Sequence, residues 1–497
     1  MIFSVCQIIF SVIFLILTIF YAYFKFKYIF YWSRRGIPFV RPEFPFGNIQ
    51  NLHGKEHFCL FIQKYYIEFK EREKYFGLFY YSTPAVVITN RKLIETILKR
   101  DHSKFNDRSL YHNQRDDPLS GHLVLLSGTN AKRVRSLISP AFTPNRMKDM
   151  FSTIVEVSNR LNDYLNRILD ENNEVDIGDL LTRYTIDVIG ASAFGIECNS
   201  LEDPDNEFRS MCERGLSKPR HGPELQFFLN YHQNLGRFFG IKLIRDDVSN
   251  YFLGIILKAI ESREEQNIRR RDFLGVLIEI KKNFGSNSDE LTTYELAAQA
   301  FAFFTPGFDT MSSATIFMLY EMAQNRRVQE RARSEIKDVL RNCDGDLTYE
   351  NISNMTYIDK IISETLRKYP PFTMLRRIAV EDYQVPGTDQ IIEKGTPVII
   401  PVFAIHYDPE YFAEPHKFEP DRFVTDEAKK ANLAFGLGSR NCIGIRFSRM
   451  QLSIALITFL KNFEITTCDQ TVSPMVFKPC SLRLTPKSKV YLKLNKL

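Results

Sequence analysis

The stretch FGLGSRNCIG, residues 435–444, sets Cys442 among Gly436, Gly438 and Gly444, with Arg440 just before it and a long amphipathic run just after. A lone cysteine is most often small, inert core filler. These neighbours suit something else. The glycines let the backbone turn tightly and come close to a bulky group. The following helix aims its first N–H groups at the sulfur, which favours a thiolate. Cys442 therefore reads as a ligand that its loop holds in the open.

The rest of the chain frames that reading. Its 497 residues are 44% hydrophobic and 25% charged, a globular composition with ample material for a large core. A net charge of +6 is too small at this length to argue for nucleic acid, and no nucleic-acid partner is expected. The eight cysteines are scattered without a C-x-x-C pair, which excludes a disulfide framework or zinc knuckle and suits a reducing compartment.

The first 24 residues, MIFSVCQIIFSVIFLILTIFYAYF, carry no charged side chain and are long enough to cross a bilayer as a helix. A cleaved signal peptide has a charged start and a shorter apolar run. Here the charges follow, as Lys25, Lys27, Arg34 and Arg35. The pattern predicts an uncleaved anchor over 1–24 with the remainder on the cytosolic side. Pro38, Pro42 and Pro45 cannot continue a helix, so 25–48 reads as a basic, proline-rich hinge and 49–497 as one body.

Within the body, YFGLFYYSTPAVVIT predicts two short strands, and VPGTDQIIEKGTPVIIPV predicts more strands with turns at Gly387 and Gly395. From about residue 90 to 370 helical periodicity dominates, as in RMKDMFSTIVEVSNRLNDYLNRILDE. One helix starts at a capping-box pair, Thr292 and Glu295, and runs to about Gln324, roughly 50 Å. The fold class is mainly α with a minor β-sheet region.

Phe435-x-x-Gly438-x-Arg440-x-Cys442-x-Gly444 resembles the haem-binding loop of the cytochrome P-450 superfamily. At average composition those five residues would fall at that spacing by chance in fewer than about one such chain in ten thousand. Glu364-Thr-Leu-Arg367 resembles the superfamily's E-x-x-R pair, and Pro420-Asp-Arg422-Phe423 its P-x-R-F segment, whose arginine joins that pair in a structural network. The likeness spans nearly the whole chain. YTIDVIGASAFGIECNSLEDPDNEF and ELAAQAFAFFTPGFDT look most like the insect microsomal branch associated with plant toxins, insecticides and some endogenous lipids.

The resemblance implies a haem b whose iron takes an axial thiolate from Cys442, with O2 as co-substrate. It also implies electrons from NADPH through a flavoprotein reductase, with cytochrome b5 as a further donor, and residence in the endoplasmic reticulum membrane in contact with its lipid. A thiolate ligand favours O–O cleavage. By motif position Arg440, Arg377 and Arg135 are expected on the haem propionates, with Gly438 and Gly444 shaping the loop and Phe435 shielding the sulfur. Asp309-Thr310 resembles the acid–alcohol pair that delivers protons for oxygen activation. Without the cysteine loop, a threonine bonded back to its own helix would be the ordinary reading. Gly307 is expected to leave room beside that pair.

Three positions depart from the superfamily's pattern. Pro306 stands in a helix interior, where proline costs about 3 kcal/mol and favours a kink. Met311 replaces a Ser or Thr, and Ala131 a propionate-binding Trp. Phe301, Phe303 and Phe304 fit core packing, with some of them on the distal cavity beside the Arg108–Leu126, Pro219–Phe239 and Val476–Leu482 segments. Lys132, Arg133, Arg440, Arg446 and Arg449 are expected to form a basic patch for the reductase. The reading is a membrane-bound monooxygenase of lipophilic small molecules. A haem-thiolate isomerase or dehydratase is the alternative within enzymes, and a haem-based binder of lipophilic ligands the alternative outside them.

Overall fold

The structure is a computed structural model describing residues 2–49, 56–217, 219–284, 291–342, 345–479, 481 and 483–497. Cys343 and Cys480, two of the eight cysteines, and Leu482, the end of the Val476–Leu482 segment, lie outside the described residues. Cys59, Cys198, Cys212, Cys442 and Cys468 are free thiols.

The central element is the helix Thr293–Gln324. Its start is the expected capping box: Glu295 N–H donates to Thr292 Oγ1 at 3.1 Å, and Thr292 N–H to Glu295 Oε2 at 3.0 Å. The helix continues through Pro306 without interruption. Phe301, Phe303 and Phe304 are all core: Phe303 stacks on Phe273 at 4.2 Å, and Phe304 meets Phe252 at 5.0 Å. Gly307 is likewise a packing residue, because a Cβ there would come 2.9 Å from Ile189 of the neighbouring helix Ile177–Phe194. The room expected beside Asp309 is thus filled by Ile189.

The amphipathic helix after the cysteine spans Ile445–Asn462 and packs on both the central helix and Pro144–Ile168. The main sheet has four strands in the order Tyr75–Tyr80, Thr83–Ile88, Pro397–Ile400 and Leu375–Ile378. Its middle pair is parallel and the outer pairs antiparallel, with Arg377 opposite Val398. Smaller sheets of three and two strands complete the mainly α fold.

The N-terminal helix runs Ile2–Ser33, so Lys25 and Lys27 lie inside it. Within Gln7–Ser33 an 18-residue window has a mean hydropathy of 2.2 and is only 6% buried, so the helix is long and apolar enough to cross a membrane. Its inner end is docked on the body: Phe24, Tyr28 and Trp32 are buried, and Tyr28 donates to Tyr81 O at 2.8 Å. A side chain at Gly77 would collide with the Trp32 ring. The inner end of this helix is therefore held against the body.

Candidate functional site

The cysteine loop is closed by its own backbone. Cys442 N–H donates to Phe435 O at 2.8 Å, across a turn in which Gly436 and Gly438 adopt φ of 74° and 75°. Such angles exclude most side chains. At Gly438 a Cβ would also strike the Leu98 carbonyl, so the close approach made there is to the protein's own backbone. Gly444 differs. Its φ is −89°, and a Cβ would meet only Phe142, at 3.8 Å.

Cys442 is reachable by water, yet burial pushes its thiol above the ordinary value. Both hold if the side chain faces an interior cavity. The Gly444 N–H, Arg108 and Arg135 pull the other way but do not win. A metal that binds a thiol removes its proton outright.

Around the loop stand four arginines. Arg440 donates to Leu126 O at 2.6 Å, Arg377 to Arg376 O at 2.8 Å, and Arg135 to Asn441 O at 2.8 Å and Oδ1 at 2.7 Å. The fourth, Arg108, was not singled out from the sequence. It donates to Val124 O at 3.1 Å and Arg440 O at 2.8 Å. Ile378 N–H bonds Asp107 O at 2.9 Å, which sets Arg108 beside the strand carrying Arg377. Among the described residues none of the four has a carboxylate partner within ion-pair distance, and Arg440 Nε is buried without any acceptor. Burial and mutual repulsion bring Arg108 down to about 9 and Arg377 to about 10. Four cations around one loop, none ion-paired to a carboxylate among the described residues, fit an anionic group bound there.

Behind the loop lies a fully buried ion network. Arg367 Nε and NH2 donate to Glu364 Oε2 and Oε1 at 2.6 and 2.9 Å, with both side chains 0% exposed. Arg422 Nε and Glu419 N–H also donate to Oε1, at 3.0 and 2.9 Å. Arg367 further holds His406 O at 2.8 Å. His406, unremarkable in the sequence, carries the network to the loop: Leu433 N–H donates to its Nε2 at 2.8 Å, so the ring is neutral and Nδ1–H donates to Arg367 O at 2.9 Å. Burial brings its pKa down to about 3, which keeps it neutral.

Residues 38–494 match the family model described as Cytochrome P450. The chain belongs to the cytochrome P450 family. It is 40% identical over 475 residues to cytochrome P450 6A1 of Musca domestica, covering 94% of this chain and 93% of that one. It is 37% identical over 502 residues to cytochrome P450 6a9 of Drosophila melanogaster, covering 98% and 100%. Cytochrome P450 6a2 of the same fly is 38% identical over 482 residues, covering 94% and 95%. As a P450 the protein is a membrane-associated monooxygenase using haem with thiolate-ligated iron, O2 and reductase-derived electrons. The water-reachable sulfur and the four arginines without an ion-paired carboxylate among the described residues fit that cofactor.

On the opposite side of this P450, Asp309 and Thr310 do not act on each other. Thr310 Oγ1 donates back to Pro306 O at 2.7 Å. Asp309 forms an ion pair with Arg483, another residue the sequence did not single out. Burial raises the Asp309 carboxyl and Arg483 opposes that rise. Arg483 is held in turn by His57, whose Nε2 lies 3.3 Å from its carbonyl while Nδ1 caps Cys59 N–H. Met311 and Ala131 are both buried in the core. The 108–126 and 219–239 segments do meet: Tyr111 N–H donates to Asn230 Oδ1 at 2.9 Å and Ser109 Oγ to Asn230 O at 2.9 Å. The expected basic patch is smaller than its five members. Arg440 is buried, and Arg133 and Arg449 are ion-paired with Glu295 and Asp359. Lys132 and Arg446 remain exposed.

Proposed function

We propose that this protein oxidises lipophilic small molecules, plant toxins, insecticides or endogenous lipids among them, with Cys442 as the axial thiolate of its haem iron. The bound haem supplies the oxidising power for inserting one atom of O2 into a carbon–hydrogen bond. The chain supplies the rest. Arg440, Arg377 and Arg135, joined by Arg108, neutralise the two propionates, since each has unused N–H donors and no carboxylate of its own. Gly436 and Gly438 give the loop its turn, and Phe435, whose carbonyl accepts from Cys442 N–H, would cover the sulfur once the haem is bound. Glu364, Arg367, Arg422 and His406 fix where the loop sits.

Asp309 and Thr310 hold and move protons. In the resting arrangement the Thr310 hydroxyl gives its hydrogen to Pro306 O, so it works first as an acceptor and must turn to donate. Asp309, paired with Arg483, takes a proton from water and passes it towards Thr310 Oγ1. The body stands on the cytosolic face of the endoplasmic reticulum, and the reductase and cytochrome b5 dock over Lys132 and Arg446.

The carrying observation is a water-reachable sulfur amid four arginines, none ion-paired to a carboxylate among the described residues. The test is the carbon-monoxide difference spectrum of the reduced protein beside Cys442→Ala. A thiolate-type red-shifted band, lost in the variant, supports the assignment, as does product formed only with reductase and NADPH. A histidine-type band in folded protein refutes it.

A further inference from the structure

His122 lies in the stretch of chain that joins the central helix to the arginine cluster. On one side Leu123 N–H donates to Gln299 Oε1 at 2.9 Å, and Gln299 Nε2 donates to Gly121 O at 3.2 Å. On the other, Arg108 donates to Val124 O at 3.1 Å and Arg440 to Leu126 O at 2.6 Å. The His122 carbonyl closes the turn between them, accepting from Leu125 and Leu126 N–H, both at 3.0 Å. The ring is thus carried on backbone that is fixed at both ends, within electrostatic reach of Arg108.

That ring has no partner of its own. Nδ1 is buried without one, and among the described residues Nε2 makes no hydrogen bond either. Burial first, then His112 and Arg108, bring the pKa down to about 3, so the imidazole is neutral and carries one N–H. Protein encloses the side chain, yet part of the ring is reachable by water. Cys442 shows the same combination. The reachable nitrogen is Nε2, because Nδ1 is sealed. A proton on Nδ1 would be a donor shut away from every acceptor, whereas on Nε2 it stays available.

We infer that the Nε2–H of His122 donates to a carboxylate of the bound haem, as an uncharged partner beside Arg108 and Arg440. This rests on the reading of the arginine cluster as the haem's carboxylate site. A neutral donor suits that place. It adds a charge-assisted hydrogen bond without adding to the repulsion that Arg108 already meets from Arg440, Arg377 and Arg135.

The test uses the full-length protein in neutral detergent, loaded with haem or with haem dimethyl ester, whose carboxylates are masked. Loss of the group to excess apomyoglobin is timed by decay of the thiolate-type Soret band, for wild type, His122→Phe, His122→Asn and His122→Gln. The glutamine amide nitrogen sits near the place of Nε2, and that of asparagine near Nδ1. His122→Phe and His122→Asn are expected to lose haem at least about tenfold faster than wild type, the scale of a hydrogen bond to a charged group. His122→Gln is expected to stay within about threefold of wild type. With the dimethyl ester all four should lose the group at one rate. A wild-type rate in His122→Phe, rescue by Asn in place of Gln, or a difference that persists with the ester overturns the inference. An ester lost from wild type no faster than haem overturns the arginine reading as well. Failure of His122 alone leaves that ester effect intact, so the two failures are distinguishable.

Discussion

Glu364→Gln isolates the charge of the buried network from its volume. Three donors converge on Glu364 Oε1, from Arg367, Arg422 and Glu419, and a fourth from Arg367 reaches Oε2. The amide of glutamine offers one oxygen and one NH2. If its oxygen faces the three donors, its NH2 confronts Arg367 Nε–H; reversed, it confronts three. Either way Arg367, 0% exposed, loses its counter-charge. Removing one partner of such a pair costs about 3–5 kcal/mol, although the intact pair is itself only weakly stabilising. With about 2.1 cal/mol/K of unfolding entropy per residue, a cooperative body of this size moves its midpoint about 1 °C per kcal/mol. The expected drop is about 3–5 °C in the thermal midpoint, followed by circular dichroism and by loss of the haem band. Because the network reaches the cysteine loop through His406 and Leu433, the haem band should fail at or below the temperature at which helix melts. Glu350→Gln, which breaks an exposed pair with Lys148, is the control and should leave both midpoints in place. A drop below about 1 °C in Glu364→Gln would refute the stranded-charge argument.

Arg377→Gln should act with opposite signs on the two forms of the protein. Removing a buried cation held down to about 10 by burial and by Arg440 raises the melting midpoint of the haem-free chain, while haem dissociation from the loaded chain speeds by about tenfold or more. Asp117 joins the 108–126 segment to 243–244, its Oδ2 accepting Leu243 and Ile244 N–H at 2.8 and 2.9 Å. Burial raises its carboxyl above the usual aspartate range, so the folded state holds that proton more tightly than the unfolded chain. The stabilisation is complete below the unfolded pKa and is lost as pH rises through the folded one. Asp117→Asn, which keeps the acceptor oxygen, should flatten that slope in melting midpoints taken from pH 4 to 7. An unchanged slope would show that the titration belongs elsewhere.

What the sequence made legible was local. The capping box at Thr292 and Glu295, the strands around Ser82 and the glycine turn before Cys442 each lie within a few residues, where propensity and spacing act directly. What escaped it was made by distant segments meeting. Arg108 reaches the cluster only because Asp107 pairs with Ile378, and nothing in DRSLYHNQRDD marks it. His406 matters because a backbone N–H 27 residues on needs an acceptor. Arg483 is tied to Asp309 by tertiary packing alone. The phenylalanines 301, 303 and 304 have the spacing of a pocket lining and the surroundings of a core, and only their neighbours Phe252 and Phe273 decide between the two. Three members of the basic patch were likewise lost to burial or to carboxylates that no linear pattern sets beside them.

The arrangement of charge shows why such a fold cannot be complete without its cofactor. A chain selected for its own stability would not gather Arg108, Arg135, Arg377 and Arg440 around one loop with carbonyls for partners, where burial lowers the pKa of each and repulsion lowers further those of Arg108, Arg377 and Arg440. Nor would it leave a water-reachable cysteine in the middle of them. Both costs have the same remedy, a group that brings carboxylates to the arginines and a metal to the sulfur. Glu364, Arg367 and His406 stand behind the loop as rigid, internally neutralised support, so their charges do not cancel those in front. The cations at the site stay unsatisfied until the cofactor enters. Binding it therefore adds to the stability of the fold as well as to its chemistry.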